Sequence, residues 1–281
     1  MNPQSANSPS PVWVCPFCQL DLNYIAAEKA WLCDNRHSFD CAKEGYVNLL
    51  PSNKKHSSDP GDSAEMIAAR RNIHGAEIYR PLADAVLAAV SAAGSPARIL
   101  DLGCGEGYYA GAMQRVFTDT KICGIDISKS AVRLAAKHYA DIEFAVASSF
   151  ALPVTPASQD VVVRIFAPSQ DSEIIRVLKP GGFYLEVTPA PRHLWVLREA
   201  LYDVPRAHED SRDKFPYLQL VQSSNCEYEV DLSQRLLREL LAMTPFAHRG
   251  HREKRERLRS GGGLKVGMSF SLRLFQKPDT A

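Results

Sequence analysis

One short segment constrains this chain more than any other. Asp101-Leu-Gly103-Cys104-Gly105-Glu106-Gly107 follows the apolar run Arg98-Ile-Leu-Asp-Leu directly and precedes a helix-forming stretch, Tyr108 to Phe117. Three glycines at alternate positions permit a tight turn with left-handed backbone and let a ligand approach the main chain, as at the first strand-to-helix turn of a doubly wound sheet. A second acid, Asp126, closes the next apolar run, Cys123-Gly-Ile-Asp, where a carboxylate can accept both hydroxyls of a ribose. A glycine-rich turn alone serves a dinucleotide or a plain bend equally well. Here strand, turn, helix and second acid agree.

The rest of the chain supplies the sheet that such a turn needs. After helical stretches at Ser63 to Asn72 and Ile78 to Ala93, strands are expected at 98–102, 121–127, 142–147, 161–166 and 183–188. Helices at 108–117, 129–139 and 171–178 separate most of them. This alternation implies an open, mostly parallel sheet with helices on both faces. A helix from Arg192 to Tyr202, a strand near Glu227 to Leu232, a helix from Gln234 to Met243 and a strand from Val266 to Phe275 complete the chain. The form Asp-x-Gly-x-Gly-x-Gly resembles motif I of class I S-adenosylmethionine-dependent methyltransferases, and Leu178-Lys-Pro-Gly-Gly182 is a second landmark of that superfamily. The resemblance implies an α/β, Rossmann-like fold with a mostly parallel seven-stranded sheet. It also implies that Asp101, Gly103 and Gly105 shape the loop around the methionine moiety, with Glu106 at the helix entrance and Asp126 on the ribose. Ser148 and Ser149 follow the third strand, where they either reach the adenine edge or simply make a turn.

A second chemistry occupies the N-terminal region. Four of the seven cysteines lie between Cys15 and Cys41, within an aromatic stretch from Val12 to Pro51 too small to bury much core. Cys15-x-x-Cys18, then fourteen residues, then Cys33-x-x-x-His37 gives two ligand pairs spaced for a closed tetrahedral zinc site. Cys41 competes for the fourth position, but the compact Cys-x-x-x-His turn favours His37. Four protein ligands leave no open coordination position, so this ion is structural.

Charge and hydropathy exclude several classes. With 33 Lys+Arg against 32 Asp+Glu and 45% hydrophobic residues, the chain is neither disordered nor a polyelectrolyte. No apolar run is long enough to span a bilayer and no secretory signal precedes the zinc segment, so a cytoplasmic protein is expected. Residues 1–11 read as a disordered tail, 12–51 as the zinc-binding domain, 52–72 as linker and connecting helix, and 73–281 as the methyltransferase domain. A basic run, His248 to Arg259, with interleaved Glu253 and Glu256, suits either phosphate contact or a solvated, salt-bridged helix face. Lys43, Lys54, Lys55, Arg70 and Arg71 are further candidates for phosphate contact.

Taken together, the Cys3His finger, Ala42-Lys-Glu-Gly-Tyr-Val-Asn-Leu-Leu-Pro51, Asp59-Pro-Gly-Asp-Ser-Ala-Glu-Met66 with Ala69-Arg-Arg71, the glycine turn and Pro191-Arg-His193 resemble the RlmA family of 23S ribosomal RNA guanine-N1 methyltransferases. The likeness spans about Val14 to Gln276. It implies a zinc finger that recognises RNA, methylation of a guanine in an RNA hairpin, and a homodimer. Zinc would fall on Cys15, Cys18, Cys33 and His37, and S-adenosylmethionine on Tyr79, Gly105, Glu106 and His193. Read without the resemblance, Tyr79 is a half-buried helix tyrosine and His193 a polar residue at a helix start. Phe166, after the fourth strand, is placed either to stack on a target base or to cap the core. Two other readings are open to the residues: a small-molecule methyltransferase with a structural zinc module, and a zinc-dependent RNA-binding regulator.

Overall fold

The computed structural model of the chain describes residues 12–51, 61–208, 215–247 and 251–279. The expected N-terminal tail, residues 52–60 of the expected linker with Lys54, Lys55 and Asp59, and the start of the basic run at His248 lie outside the described residues.

Eight strands form one sheet in the order β10-β11-β9-β8-β5-β6-β7-β4. The strands are β4 (Tyr46–Asn48), β5 (Arg98–Leu102), β6 (Lys121–Asp126), β7 (Glu143–Val146), β8 (Gln159–Ile165), β9 (Leu178–Pro189), β10 (Gln219–Leu232) and β11 (Leu264–Gln276). From β4 to β9 all neighbours pair in parallel, while β11 runs antiparallel to β9 and β10 antiparallel to β11. Period-two alternation explains the two-sided burial. Ile99, Ile122, Val161 and Val163 enter one apolar cluster, whereas Leu100, Cys123, Ile125 and Val162 enter the other. The helices that cover these faces are α1 (Ala64–Gly75), α2 (Arg80–Ala92), α3 (Tyr108–Val116), α4 (Lys129–His138), α5 (Asp171–Val177), α6 (Trp195–Leu201) and α7 (Gln234–Ala242), with α8 (Arg252–Ser260) lying outside them against α6 and α7. Side chains of Ser63, Ser128 and Ser233 cap the N-termini of α1, α4 and α7 by accepting backbone N–H groups.

The sheet thus has one strand more than the seven expected. The eighth, β4, comes from the N-terminal segment: Tyr46, Val47 and Asn48 pair in parallel with Phe144, Ala145 and Val146 of β7. Its side chains alternate as a sheet strand requires, Tyr46 joining one cluster and Val47 the other. The change of composition at Pro51 is therefore not a break in packing.

The metal-binding segment is a three-stranded antiparallel sheet of β1 (Asn23–Ile25), β2 (Ala30–Leu32) and β3 (Ser38–Asp40). Strands of three residues are marginal alone. Trp13 anchors them: it is 1% exposed, bridges Val154 ahead of β8, and shares a cluster with Cys15, Leu22, Cys33, Val47 and Leu152. The backbone N–H of Val14 donates to Pro153 O at 3.0 Å. The two sheets consequently share one core. Trp13→Ala should cost about 3–5 kcal/mol. We expect a lower urea midpoint in a single transition that includes both the near-UV signal of the ribbon and the helical signal of the sheet domain.

Candidate functional site

The glycine turn is built as its residue types require. Gly103, Gly105 and Gly107 take φ of 78°, 55° and 84°, a region that side-chain-bearing residues avoid. At Gly103 a Cβ would lie 2.2 Å from that of Ala167, so the turn and the loop after β8 touch. Asp126, at the end of β6, spans the opening: Gly105 N donates to its Oδ2 at 2.9 Å and Ser128 N to its Oδ1 at 2.8 Å. Burial raises its pKa, against the lowering effect of those two N–H groups. Asp101 lies deeper at 2% exposure, and its Oδ2 finds no hydrogen-bond partner among the described residues. Burial, with the nearby charge of Asp126, pushes its carboxyl up to about 7.

Glu106 is handled differently. Burial pushes its carboxyl up, but the hydrogen bond and charge of His74 outweigh this and hold it below its ordinary value. His74 Nδ1 lies 2.6 Å from Glu106 Oε1, and its ring stacks on Tyr108 with centroids 4.0 Å apart. From His74 a continuous aromatic belt leads away from the turn. Tyr79 meets His74 at 5.6 Å and Phe270 at 5.6 Å, Phe270 meets His193 at 4.5 Å, and Phe166 packs against both Tyr79 and Phe270. Tyr79, Glu106 and His193, three residues far apart in sequence, therefore lie along one connected run of buried, mutually packed side chains.

His193 is buried, and Ser269 N donates to its Nδ1 at 3.3 Å. Burial, with the neighbouring His208, lowers its pKa to about 3, so the ring is neutral with its proton on Nε2. Phe166 has φ of 57° and is 43% exposed, a strained residue at the carboxyl end of a central strand with one face on the belt and the rest open. Ser148 Oγ accepts Phe150 N and Ser149 Oγ donates to Pro168 O, which fits the turn reading of this pair.

Three residues at the site were not legible as such. Arg70, read from the sequence as a phosphate contact, is ion-paired with Asp62 at 2.5 Å, and its Nη1 would be 3.5 Å from a Cβ on Gly105. His74 lies one turn further along α1 on the same face. The i,i+4 spacing was available; that this face meets the glycine turn was not. Phe270 is far away in sequence and enters through β11. The basic helix α8 buries no residue, and Lys254 and His251 both contact Asp203, at 2.5 and 2.9 Å, as a solvated salt-bridged face would.

In the ribbon, the Sγ atoms of Cys15, Cys18 and Cys33 and a ring nitrogen of His37 all lie within 4.8 Å of one another. Individual separations are 3.4 Å for Cys15–His37, 3.5 Å for Cys18–His37, 3.4 Å for Cys33–His37 and 3.6 Å for Cys18–Cys33. Zinc–sulfur bonds near 2.3 Å arranged tetrahedrally put ligands roughly 3.5–3.8 Å apart, so the donor set fits that ion. Cys41 lies outside this group, in a backbone bridge to Val47.

Sheet order, glycine turn and paired strand-end acids define a class I methyltransferase that uses S-adenosylmethionine, here joined to a Cys3His zinc ribbon. Residues 13–58 match the model of the RlmA N-terminal zinc ribbon, and residues 99–182 match that of a methyltransferase domain. The chain is 31% identical over 239 residues to the 23S rRNA (guanine(748)-N(1))-methyltransferase of Streptomyces fradiae, covering 82% of this chain and 84% of that protein. YxjB of Bacillus subtilis, which carries a 23S rRNA (guanine-N1)-methyltransferase name, is 34% identical over 83% of this chain and 86% of its own. The chain belongs to this family of RlmA-type 23S rRNA guanine-N1 methyltransferases. A chain from the complex of the Haloferax volcanii Trm112 methyltransferase activator with its methyltransferase superposes with a TM-score of 0.51 at 20% identity, over 78% of this chain and all of that one, a likeness of fold.

Two outcomes follow from the charges and the thiols. S-adenosylmethionine carries net positive charge, so a crevice that holds it beside Asp101 favours the ionised carboxylate. With a carboxyl near 7 in the free protein, affinity measured by calorimetry should rise with pH from about 6 to a plateau near 8, and Asp101→Asn should flatten that rise. Cys33→Ser should reduce bound zinc, read by atomic absorption, from about one ion per chain to near none. Chelation should lower the Tm of the whole chain, because Cys15 and Cys33 belong to the same core as Trp13.

Proposed function

We propose that the protein transfers a methyl group from S-adenosylmethionine to N1 of a guanine in a hairpin of 23S ribosomal RNA. The observation that carries this reading is the aromatic belt, which starts at the glycine crevice and ends on the half-open ring of Phe166. A flipped guanine can stack on that open ring without sequence-specific contacts. Its family membership and zinc ribbon favour RNA over a small molecule as acceptor, and the guanine-N1 specificity in the names of its relatives is carried over to this chain.

In this reading Asp101, Gly103, Gly105, Glu106, Asp126, Tyr79 and His193 hold the donor, and Cys15, Cys18, Cys33 and His37 hold zinc. Residues 12–51 read RNA and residues 73–281 carry out transfer. S-adenosylmethionine supplies an electrophilic methyl on sulfonium. The protein's part is alignment and exclusion of water, plus an outlet for the N1 proton. His193 is not that outlet: its Nδ1 accepts Ser269 N–H, which leaves Nε2–H as a donor. In this reading that N–H faces an acceptor atom of S-adenosylmethionine, while negative charge builds on guanine O6 as N1 gives up its proton and is relieved as the methyl arrives. Glu106 is committed to His74. On the ribbon, Phe17 is 61% exposed and stacked on Phe39, a second platform for an unpaired base.

A homodimer is part of the proposal. It is supported by the long edge strand β10, which pairs with β11 and exposes Leu220 and Val221. No helix among the described residues is long and apolar enough to cross a membrane, and a ribosomal substrate makes the cytoplasm the working compartment.

Incubation with unmodified ribosomal RNA and S-adenosylmethionine, followed by reverse transcription, tests the main reading. An N1-methyl group blocks the Watson–Crick edge, so the copy should stop beside a single guanine. Asp126→Ala should remove the stop while leaving zinc content unchanged. RNA binding without a stop favours a regulator, and a retained stop in Asp126→Ala counts against the ribose role.

A further inference from the structure

The crevice has an uneven charge balance. Asp62, Asp101, Glu106 and Asp126 converge on it. Arg70 is the guanidinium whose charge acts on both Glu106 and Asp126, and His74 is taken up by Glu106. Arg70 comes from α1 and its side chain is 24% exposed. Its Nη1 stands over the Cα of Gly105, and the same nitrogen meets Asp62 Oδ2 at 2.5 Å. Asp62 is itself held at the crevice: a Cβ on its neighbour Gly61 would lie 2.9 Å from Ser128 Cβ and 3.2 Å from Ile127 Cγ2, so this segment leans on the turn that follows Asp126. A cation and a carboxylate thus form a pair across the mouth of the crevice, one over the glycine turn and the other beside the ribose acid.

The donor molecule has two positive groups, sulfonium and ammonium, and one negative group, its carboxylate. Three remaining acids suit the positive groups and the ribose. The carboxylate needs a cation, and a guanidinium offers paired N–H donors in a planar fork matched to it. We propose that Arg70 binds the carboxylate of S-adenosylmethionine, and that Asp62 occupies Arg70 as a stand-in for that carboxylate while the crevice is free. This rests on the assignment of the crevice to S-adenosylmethionine. Asp62 keeps the guanidinium aimed and neutralised in a partly buried place, then yields it to the ligand, so that an anion is exchanged for an anion and no bare charge is buried.

The test compares two ligands that differ only in the carboxylate: S-adenosylmethionine and its decarboxylated form, which keeps adenosine, sulfonium and amine. Calorimetry on the full chain with zinc bound should show the wild type preferring S-adenosylmethionine. Arg70→Gln should weaken S-adenosylmethionine roughly 10- to 100-fold and leave the decarboxylated ligand within about twofold, as expected for loss of a charged hydrogen-bonded pair. Asp62→Asn should leave the preference intact and leave unchanged or strengthen the binding of S-adenosylmethionine. If Arg70→Gln weakens both ligands equally, Arg70 is a tether for the 61–63 segment or a ribose contact and the proposal is wrong. It is equally wrong if Arg70→Gln changes neither. If the wild type binds neither ligand, or if Asp126→Ala leaves both unaffected, the crevice assignment itself fails. Thermal melts of each variant with zinc content measured in parallel separate misfolding from lost contact, and Arg70→Lys, which keeps the charge but not the fork, should recover part of the preference if the chain folds.

Discussion

Four carboxylates gathered where strands end are the condition that the rest of the site answers. In a low-dielectric crevice each acid needs a partner or a proton, and this protein gives each a different solution. Asp62 takes Arg70. Glu106 takes His74. Asp126 takes two backbone N–H groups. Asp101 keeps one oxygen unpartnered and responds by drawing its proton. The result is a cavity wall whose net charge is set to accept a cation-rich ligand. One of these partners, His74, reaches the glycine turn from α1, so Glu106 is neutralised only once α1 and the sheet are docked together.

The second coupling is mechanical. A ribbon of nine strand residues would not hold its shape on a flexible tether, and here it is not tethered. Trp13 is packed in the core of the sheet and Val14 is hydrogen-bonded to Pro153. The chain then returns through β4 to add a parallel edge strand. A cavity of about 200 Å³ lies at this joint, lined by Pro16 and Gln19 of the ribbon and by Ser148, Phe150 and Arg176 of the sheet domain. Metal ligation, sheet closure and the loop after β7 are consequently parts of one packing problem.

Local chemistry was readable in the sequence, and the meeting of distant elements was not. The glycine turn and Asp126 were legible because backbone conformation and strand-end position are dictated by residue type and order. The metal ligands were legible because a Cys-x-x-Cys turn aims two thiolates at one point, and His37 rather than Cys41 completes the group. Helix and strand positions followed hydrophobic periodicity, with errors chiefly at ends: β10 begins at Gln219, well before Glu227, since an exposed edge strand has little apolar pattern to read. The eighth strand escaped because three residues, Tyr46 to Asn48, carry no period. His74 and Phe270 escaped because only tertiary packing brings them to the turn. Arg70 was seen as a charge but assigned outward, since sequence gives a helix its faces without saying what each face meets.

The joined core bears on how an enzyme with sparse base-reading groups at its crevice selects one guanine. The open ring at the end of the belt, Phe166, is aromatic, and stacking tolerates any base. Discrimination at the crevice then falls to a few polar atoms, and one hydrogen bond distinguishes related bases only modestly. The remainder has to come from position. Phe39 on β3 and Phe17 stacked on it belong to a ribbon whose Trp13 and Cys33 share a cluster with Leu100 of β5 and Val162 of β8, so their distance from the crevice is set by packing. In the proposed reading, a hairpin engaged on the ribbon offers the crevice only the nucleotide that lies at that fixed distance. Selectivity of this kind depends on the rigidity of Trp13 and β4 as much as on any group that touches the base.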